Sequence, residues 1–316
     1  MSSQKIVVIS LDHWNYDKHI ISDLQSKGIT SQHINFGDYK HPSFFSRIKN
    51  FFFKVFLKKN LKKILRQEYI IEKLESIGKQ DQILVINPDL IEKKYHLKIK
   101  EHTRKYIAYL YDSVARYPVQ DLLEGVFDEI YSFDTDDVKK YNFKQTTNYN
   151  YTEKRDFHWI EAPNYQLFYL ASFDDRIALL SQIAEKLNAL KVTFRFIIVT
   201  KKVKEIPFVE VRKDRINQED LGEFYNQTNV ILDLVRDQQT GLSFRIFEAM
   251  AYQKKIITSN AAVRNYDFYN PNNILVLDEN NLQIDANFFT TAYQPIPDAI
   301  YQKYTLSHWV DTIFEL

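Results

Sequence analysis

Residues 229–260 read NVILDLVRDQQTGLSFRIFEAMAYQKKIITSN, and this run decides the fold. It opens with a short β-rich stretch, NVILDL at 229–234. A polar loop, VRDQQTG, follows. Residues 241–252 then carry Leu242, Ile246, Phe247, Ala249 and Met250 at helical spacing, and KIIT at 255–258 is a second short strand. Strand, loop, helix and strand in quick succession form the repeating unit of a parallel sheet covered by helices.

Working outward, the same alternation fills the chain. Residues 5–11 (KIVVISL) read as a first buried strand, followed by a helix to about Lys27 that Gly28 stops. Strands are expected at 31–36, 81–87, 105–111 and 129–133. Residues 144–154 (KQTTNYNYTEK) lack hydrophobic periodicity and read as a linker. After it come a strand at 167–172, a helix at 174–190, a strand at 193–200 and a last strand at 274–277. No internal repeat is present. The expected fold is therefore α/β, with two Rossmann-like domains, 1–150 and 151–316, facing each other across a cleft. Pro295 and Pro297 precede a helical pattern from about 298 to 314, carrying Ile300, Tyr304, Trp309 and Ile313. That helix either crosses back to the first lobe or caps the second sheet.

Composition narrows the class. With 316 residues, 45% of them apolar, the chain can bury a substantial core and supply two domains. A formal net charge of +1 gives no global field for nucleic acid, so none is expected as a partner. No cysteine occurs, which excludes disulfides, thiolate metal sites and cysteine nucleophiles together and fits a reducing cytoplasm. The N-terminus lacks the pattern of a signal peptide, and no apolar run approaches the roughly 20 residues of a membrane span.

Ligands of open α/β sheets gather at the carboxyl ends of strands, where helix N-termini point. Gln239, Thr240 and Gly241 place a small turn at such a helix start, a ready anion site for a diphosphate. Arg245 lies four residues further and can add a bidentate contact. Glu248, one turn along, can accept hydrogen bonds from a ribose diol. The competing expectation is that this helix serves packing, with Arg245 and Glu248 on a solvated face.

The helix with its downstream strand resembles the sugar-nucleotide-binding region of GT-B glycosyltransferases. The matching residues are Gly241, Leu242, Ser243, Glu248, Ala249 and Met250, then KIITSN at 255–260. It is most similar to bacterial transferases of surface polysaccharide and lipopolysaccharide biosynthesis, through QTGLSFRIFEA and the loop YDFYNPNN at 266–273. The likeness extends to Tyr111-Asp112-Ser113 and to FDEIYSFD at 127–134. It implies an N-terminal acceptor-side domain and a C-terminal domain binding a nucleoside-diphosphate sugar. Retaining members commonly carry a second glutamate eight residues before the ribose-binding one. Thr240 stands there, which favours inverting chemistry.

If the donor lies in the second half, an acceptor base should come from strand ends of the first. Asp12 and His13 follow the first strand and Asp112 follows YIAYLY, so these three are the catalytic candidates. Either aspartate could instead cap the next helix. On the donor side, Ser172, Asp175 and Arg176 follow the first strand of the second half. Lys201 and Lys202 follow TFRFIIVT, and cations there can neutralise a leaving diphosphate. No metal is expected: Asp136-Asp137 reads as a helix start, and the eight histidines show no ligand spacing. No cofactor is expected beyond the nucleotide-sugar substrate.

Residues 40–67 hold no acid but carry Arg47, Lys49, Lys54, Lys58, Lys59, Lys62, Lys63 and Arg66 among phenylalanines. A basic amphipathic stretch of this kind suits an anionic membrane surface or an anionic acceptor. The expected protein is thus a cytoplasmic enzyme, peripheral at the inner membrane face, that glycosylates a glycan or lipid-linked acceptor. The alternative is a non-catalytic subunit that binds a nucleotide sugar or glycan.

Overall fold

The computed structural model describes residues 4–12, 15–39, 61–203, 205–237 and 239–316. His13 and residues 40–60 of the basic segment lie outside them. Of that segment, only the start of helix α2 (Leu61–Ile77) is described. Among the described residues, no helix is long and apolar enough to cross a membrane.

The chain forms two compact units, Met1–Thr146 with Val310–Leu316, and Thr147–Trp309. The first holds β1 (Lys5–Ser10), α1 (Lys18–Ser26), β2 (Thr30–Asn35), α2, β3 (Gln80–Ile86), α3 (Lys93–Glu101), β4 (Thr103–Leu110), β5 (Glu129–Ser132), α4 (Thr135–Tyr141) and β6 (Lys144–Gln145). Its strands are parallel in the order β2-β1-β3-β4-β5-β6, so the order reverses between β1 and β3. Val7, Ile9, Ile83, Val85, Tyr106 and Ala108 meet Ile70, Leu74, Tyr95 and Ile99 in the core. β6 falls inside the stretch expected to be a linker. Both of its residues are exposed, so backbone pairing with β5 rather than a buried face makes it a strand.

The second unit holds β7 (Leu167–Ser172), α5 (Ile177–Ala189), β8 (Phe194–Val199), β9 (Glu210–Arg212), α6 (Leu221–Tyr225), β10 (Val230–Asp233), α7 (Phe244–Ala251), β11 (Lys255–Thr258), β12 (Ile274–Val276) and α8 (Asp298–Tyr301). Its parallel order is β12-β11-β10-β7-β8-β9. Numbered within the unit, this is the 3-2-1-4-5-6 order of dinucleotide-binding folds, with its switch point between β7 and β10. Side chains of a strand alternate between faces, and both faces are apolar here. Leu167, Tyr169, Phe196, Ile198, Val230 and Leu232 pack toward α5, while Phe168, Ile197, Ile231 and Ile256 pack toward Ile246, Phe247 and Met250 of α7.

The last helix, α9 (Leu306–Phe314), begins in the second unit and ends in the first. Within the first unit its tail is tied down by Gln82 Nε2, which donates to the Phe314 carbonyl at 2.9 Å, and by the pair Lys27–Asp311.

Candidate functional site

Asp233 organises the carboxyl edge of the second sheet. It lies on β10 on the face toward α7, where the alternation would otherwise place an apolar residue, and is only 1% exposed. Three donors satisfy it: Ser243 Oγ at 2.7 Å, Thr258 Oγ1 at 2.9 Å and Arg245 at 3.0 Å. Strand β10, strand β11 and the start of α7 are thereby fastened to one buried carboxylate. Ser243 stands at the N-cap of α7 and makes no side-chain capping bond; its hydroxyl donates to Asp233.

Helix α7 starts at Phe244, three residues later than Gly241, so Arg245 is its second residue and turns inward. Besides Asp233, its guanidinium donates to the Leu170 carbonyl at 2.7 Å and stands 5.2 Å from the Tyr169 ring centroid. Burial opposes its charge, but Asp233 and the neighbouring Tyr169 outweigh that and hold its pKa above the ordinary value. Arg245 is thus a brace at the β7–β10 switch point. Leu242 is buried in the α7 core, and its carbonyl accepts from Asn148 Nδ2 at 2.8 Å.

The turn before α7 is fixed from β11. Asn260 donates to the carbonyls of Thr240 and Gly241 at 3.3 and 3.1 Å and accepts from the Ala262 amide at 3.0 Å. Gly241 and Ser243 are therefore held at the mouth of the switch point.

Glu248 is 5% exposed. One carboxylate oxygen accepts from the Tyr225 hydroxyl at 2.7 Å and the other from Tyr151. Tyr151 belongs to the segment that follows β6, which runs beside α7 and closes on it again where the Arg155 amide meets the Ala251 carbonyl at 2.8 Å.

Two arginines flank the same edge. Arg176 grips Asp174 bidentately, at 2.8 and 2.6 Å, and donates to the Leu234 carbonyl at 2.7 Å. Arg236, more exposed, stands 3.4 Å from Asp174. Burial pushes the Asp174 carboxyl up, but Arg176 and Arg236 pull it net below its usual range, so it remains an anion between two cations. Ser172, Lys201 and Lys202 are exposed at the ends of β7 and β8. A hollow lined by Trp159, Gln166, Asn229 and Phe289 opens at the opposite, amino edge of this sheet and contains none of the candidate residues.

The first unit carries its own group at the carboxyl edge. A recess after β3 and β4 is lined by Asn87, Asp89, Tyr111, Asp112 and Tyr117. Tyr111 and Tyr117 expose their rings there, and Asn87 donates to the Tyr111 hydroxyl at 2.5 Å. Asp112 accepts from the Ser113 amide at 3.0 Å and pairs with Arg116 at 2.9 Å. Asp12 accepts from the Tyr16 and Asp17 amides at 3.1 and 3.0 Å, so its carboxylate shapes the turn into α1. Asp134 caps α4 through the Asp136 and Asp137 amides, as a helix start requires.

Sequence reasoning assigned no role to Asp233 or Arg236, and took Asn260 only as the last residue of the KIITSN match. Asp233 had a readable signal, a carboxylate inside an otherwise apolar strand. The others acquire their neighbours only through the fold.

No family model matches the chain, and no curated protein matches it. Solved structures do. They include one described as OtsA in its apo form (11% identity, TM-score 0.61, covering 99% of this chain and 98% of that one). A UDP-forming α,α-trehalose-phosphate synthase from Burkholderia xenovorans matches at 12% identity and TM-score 0.58, with 99% and 98% covered. AviGT4, a glycosyltransferase of avilamycin A biosynthesis, matches at 9% identity and TM-score 0.60, with 99% and 96% covered. At these identities the likeness concerns backbone architecture: the chain has the GT-B fold, two Rossmann-like α/β units in one polypeptide.

Proposed function

We propose that this protein is a glycosyltransferase that moves a sugar from a nucleoside-diphosphate donor to a hydroxyl-bearing acceptor. The observation that carries the reading is the switch point of the second sheet. There, a turn pinned by Asn260 and the arginines Arg176 and Arg236 flank the crevice position where such sheets take phosphate-bearing ligands. The GT-B fold supports it. In this reading the diphosphate contacts Arg236, Lys201, Ser172 and the backbone at Gly241, Leu242 and Ser243. Arg176 and Arg245 hold that surface in shape. A ribose diol would reach Glu248 by taking the place of the Tyr151 hydroxyl.

The acceptor belongs to the first unit, in the recess with Tyr111, Asp112 and Tyr117, where rings and carboxylates suit the faces and hydroxyls of a sugar. Asp112, Asp12 and His13 remain the candidates for the base. The leaving diphosphate is met by arginine and lysine, so transfer is expected to run without a metal. With Thr240 in place of a second glutamate, inversion is the expected outcome. The acceptor is a surface glycan or lipid-linked saccharide, which the basic segment 40–67 would approach at an anionic membrane face.

The test is calorimetric titration with a panel of nucleotides and nucleotide sugars, followed by donor-hydrolysis assays without acceptor. Arg236→Ala and Lys201→Ala should each weaken diphosphate binding about tenfold, equivalent to about 1.4 kcal/mol. Equal affinity in wild type and both variants refutes the donor placement. Tight binding without turnover in any acceptor screen favours the non-catalytic alternative.

A further inference from the structure

The hollow at the amino edge of the second sheet has a volume of about 390 Å³, within the ~300–1,000 Å³ typical of small-molecule sites. Gln166, Thr193 and Asn229 line it, and each immediately precedes one of the neighbouring strands β7, β8 and β10. Trp159 and Glu161 line it from the segment before β7. Two sets of hydrogen bonds hold these residues in place. The Asn229 side-chain amide donates to the Ile160 carbonyl at 2.7 Å and accepts from the Ile160 amide at 3.1 Å, which fixes the backbone between Trp159 and Glu161. Gln166 and Thr193 hold one another: the Thr193 amide donates to Gln166 Oε1 at 3.0 Å, and the Gln166 amide to Thr193 Oγ1 at 3.2 Å. The hollow is therefore preformed, and a ligand entering it orders little of the protein.

Its chemistry narrows the ligand. Among the described residues, the Trp159 indole N–H, the Glu161 carboxylate and Gln166 Nε2 have no hydrogen-bond partner within the protein. The described lining includes no Lys, Arg or His, and its one charged side chain is Glu161. A phosphate, a nucleotide or a carboxylated ligand would meet that carboxylate uncompensated. Trp159 is half-buried and stacks on no other ring among the described residues, and Pro163 and Phe289 add apolar surface. The hollow thus joins an aromatic face to hydrogen-bond donors and acceptors. A pyranose ring matches that combination, with a face of C–H groups and a rim of hydroxyls that each donate and accept.

We propose that this hollow binds one neutral pyranose unit of an oligosaccharide, its C–H face on the Trp159 indole and its hydroxyls on Glu161 and Gln166. The negative face of the indole attracts the slightly positive C–H groups, and a carboxylate accepts from adjacent hydroxyls through both oxygens. The same carboxylate disfavours an acidic sugar. Because Gln166, Thr193 and Asn229 stand at strand starts, the sugar occupies the edge opposite the proposed donor crevice and competes with no nucleotide. The site stands whether or not the transfer reaction proposed above is correct.

The experiment titrates the full chain, without nucleotide, with maltotriose, cellotriose and lactose, followed by calorimetry and tryptophan emission. A single sugar unit supports a dissociation constant on the order of 1 mM. The expected result is saturable binding of at least one of these sugars with a change in emission, unaffected by added UDP. Trp159→Ala should weaken it about tenfold, and Glu161→Gln and Gln166→Glu several-fold each. The latter two keep the side-chain shape, and Gln166→Glu keeps the acceptor for the Thr193 amide, so they read out binding even if Trp159→Ala folds poorly. Absence of saturable binding for all three sugars overturns the proposal, as does binding that Glu161→Gln and Gln166→Glu both retain at full strength. Displacement of the sugar by UDP places it in the donor crevice and overturns it too. Choline is the counter-probe: saturable choline binding that Glu161→Gln abolishes, with no sugar bound, assigns the hollow to an amine and is a further overturning result.

Discussion

Replacing Asp233 by asparagine keeps the shape of the side chain and removes its charge from beneath Arg245. In the native protein that guanidinium is 20% exposed at the side chain and pairs with Asp233 at 3.0 Å. The substitution leaves it with the Leu170 carbonyl and the Tyr169 ring, while Ser243 and Thr258 lose a charged acceptor. Removing one partner of a buried ion pair costs about 3–5 kcal/mol, mostly from the stranded charge. Arg245→Met in the same chain removes that charge, so the double variant should recover to within about 2 kcal/mol of wild type. Equilibrium urea unfolding of all four chains, followed by tryptophan fluorescence, measures this, since Trp159 and Trp309 lie in the second unit. A loss below about 1 kcal/mol for Asp233→Asn, or a double variant as unstable as the sum of the singles, would refute the brace.

Asn260→Ala frees the Thr240 and Gly241 carbonyls, and should cost about 1–3 kcal/mol and weaken diphosphate binding several-fold by calorimetry. Unchanged affinity would detach the turn from the donor. Tyr151→Phe removes a hydroxyl from Glu248; unfolding should become easier by about 1–2 kcal/mol while nucleotide affinity rises, and an affinity loss would show that Glu248 does not take the ribose. Burial pulls the buried ammonium of Lys254 down to about 8. Lysine in the unfolded chain titrates near 10.4. The folded state therefore binds fewer protons between these values, and stability rises with pH across that window. Urea midpoints at pH 7.5 and 9.5 should show the rise in wild type and a smaller one in Lys254→Gln; equal slopes would refute the assignment.

The alternation of strands and helices was legible because each strand is a compact apolar run flanked by polar turns. The strands at 167–172 and 255–258 lie where the pattern put them. β6 and β9 were not legible, since two or three residues without a buried face give no periodicity. The site was legible as a place rather than as a set of contacts. Sequence positions put Arg245 and Glu248 on the helix after Gly241, but their partners are set by the fold. Asp233 sits twelve residues upstream of Arg245 on a strand, and Tyr151 and Glu248 are separated by 97 residues. Helical spacing cannot tell whether an arginine turns outward to a ligand or inward to a carboxylate.

The last helix bears on how the chain is made. Translation delivers residues 1–146 first, yet the groups that receive the tail of α9 lie among them. Lys27 awaits Asp311, Gln82 awaits the Phe314 carbonyl, and Lys105 and Lys144 await Glu315. The earlier unit therefore stays incomplete at the ribosome until residues 310–316 emerge, after the whole of the later unit has been synthesised.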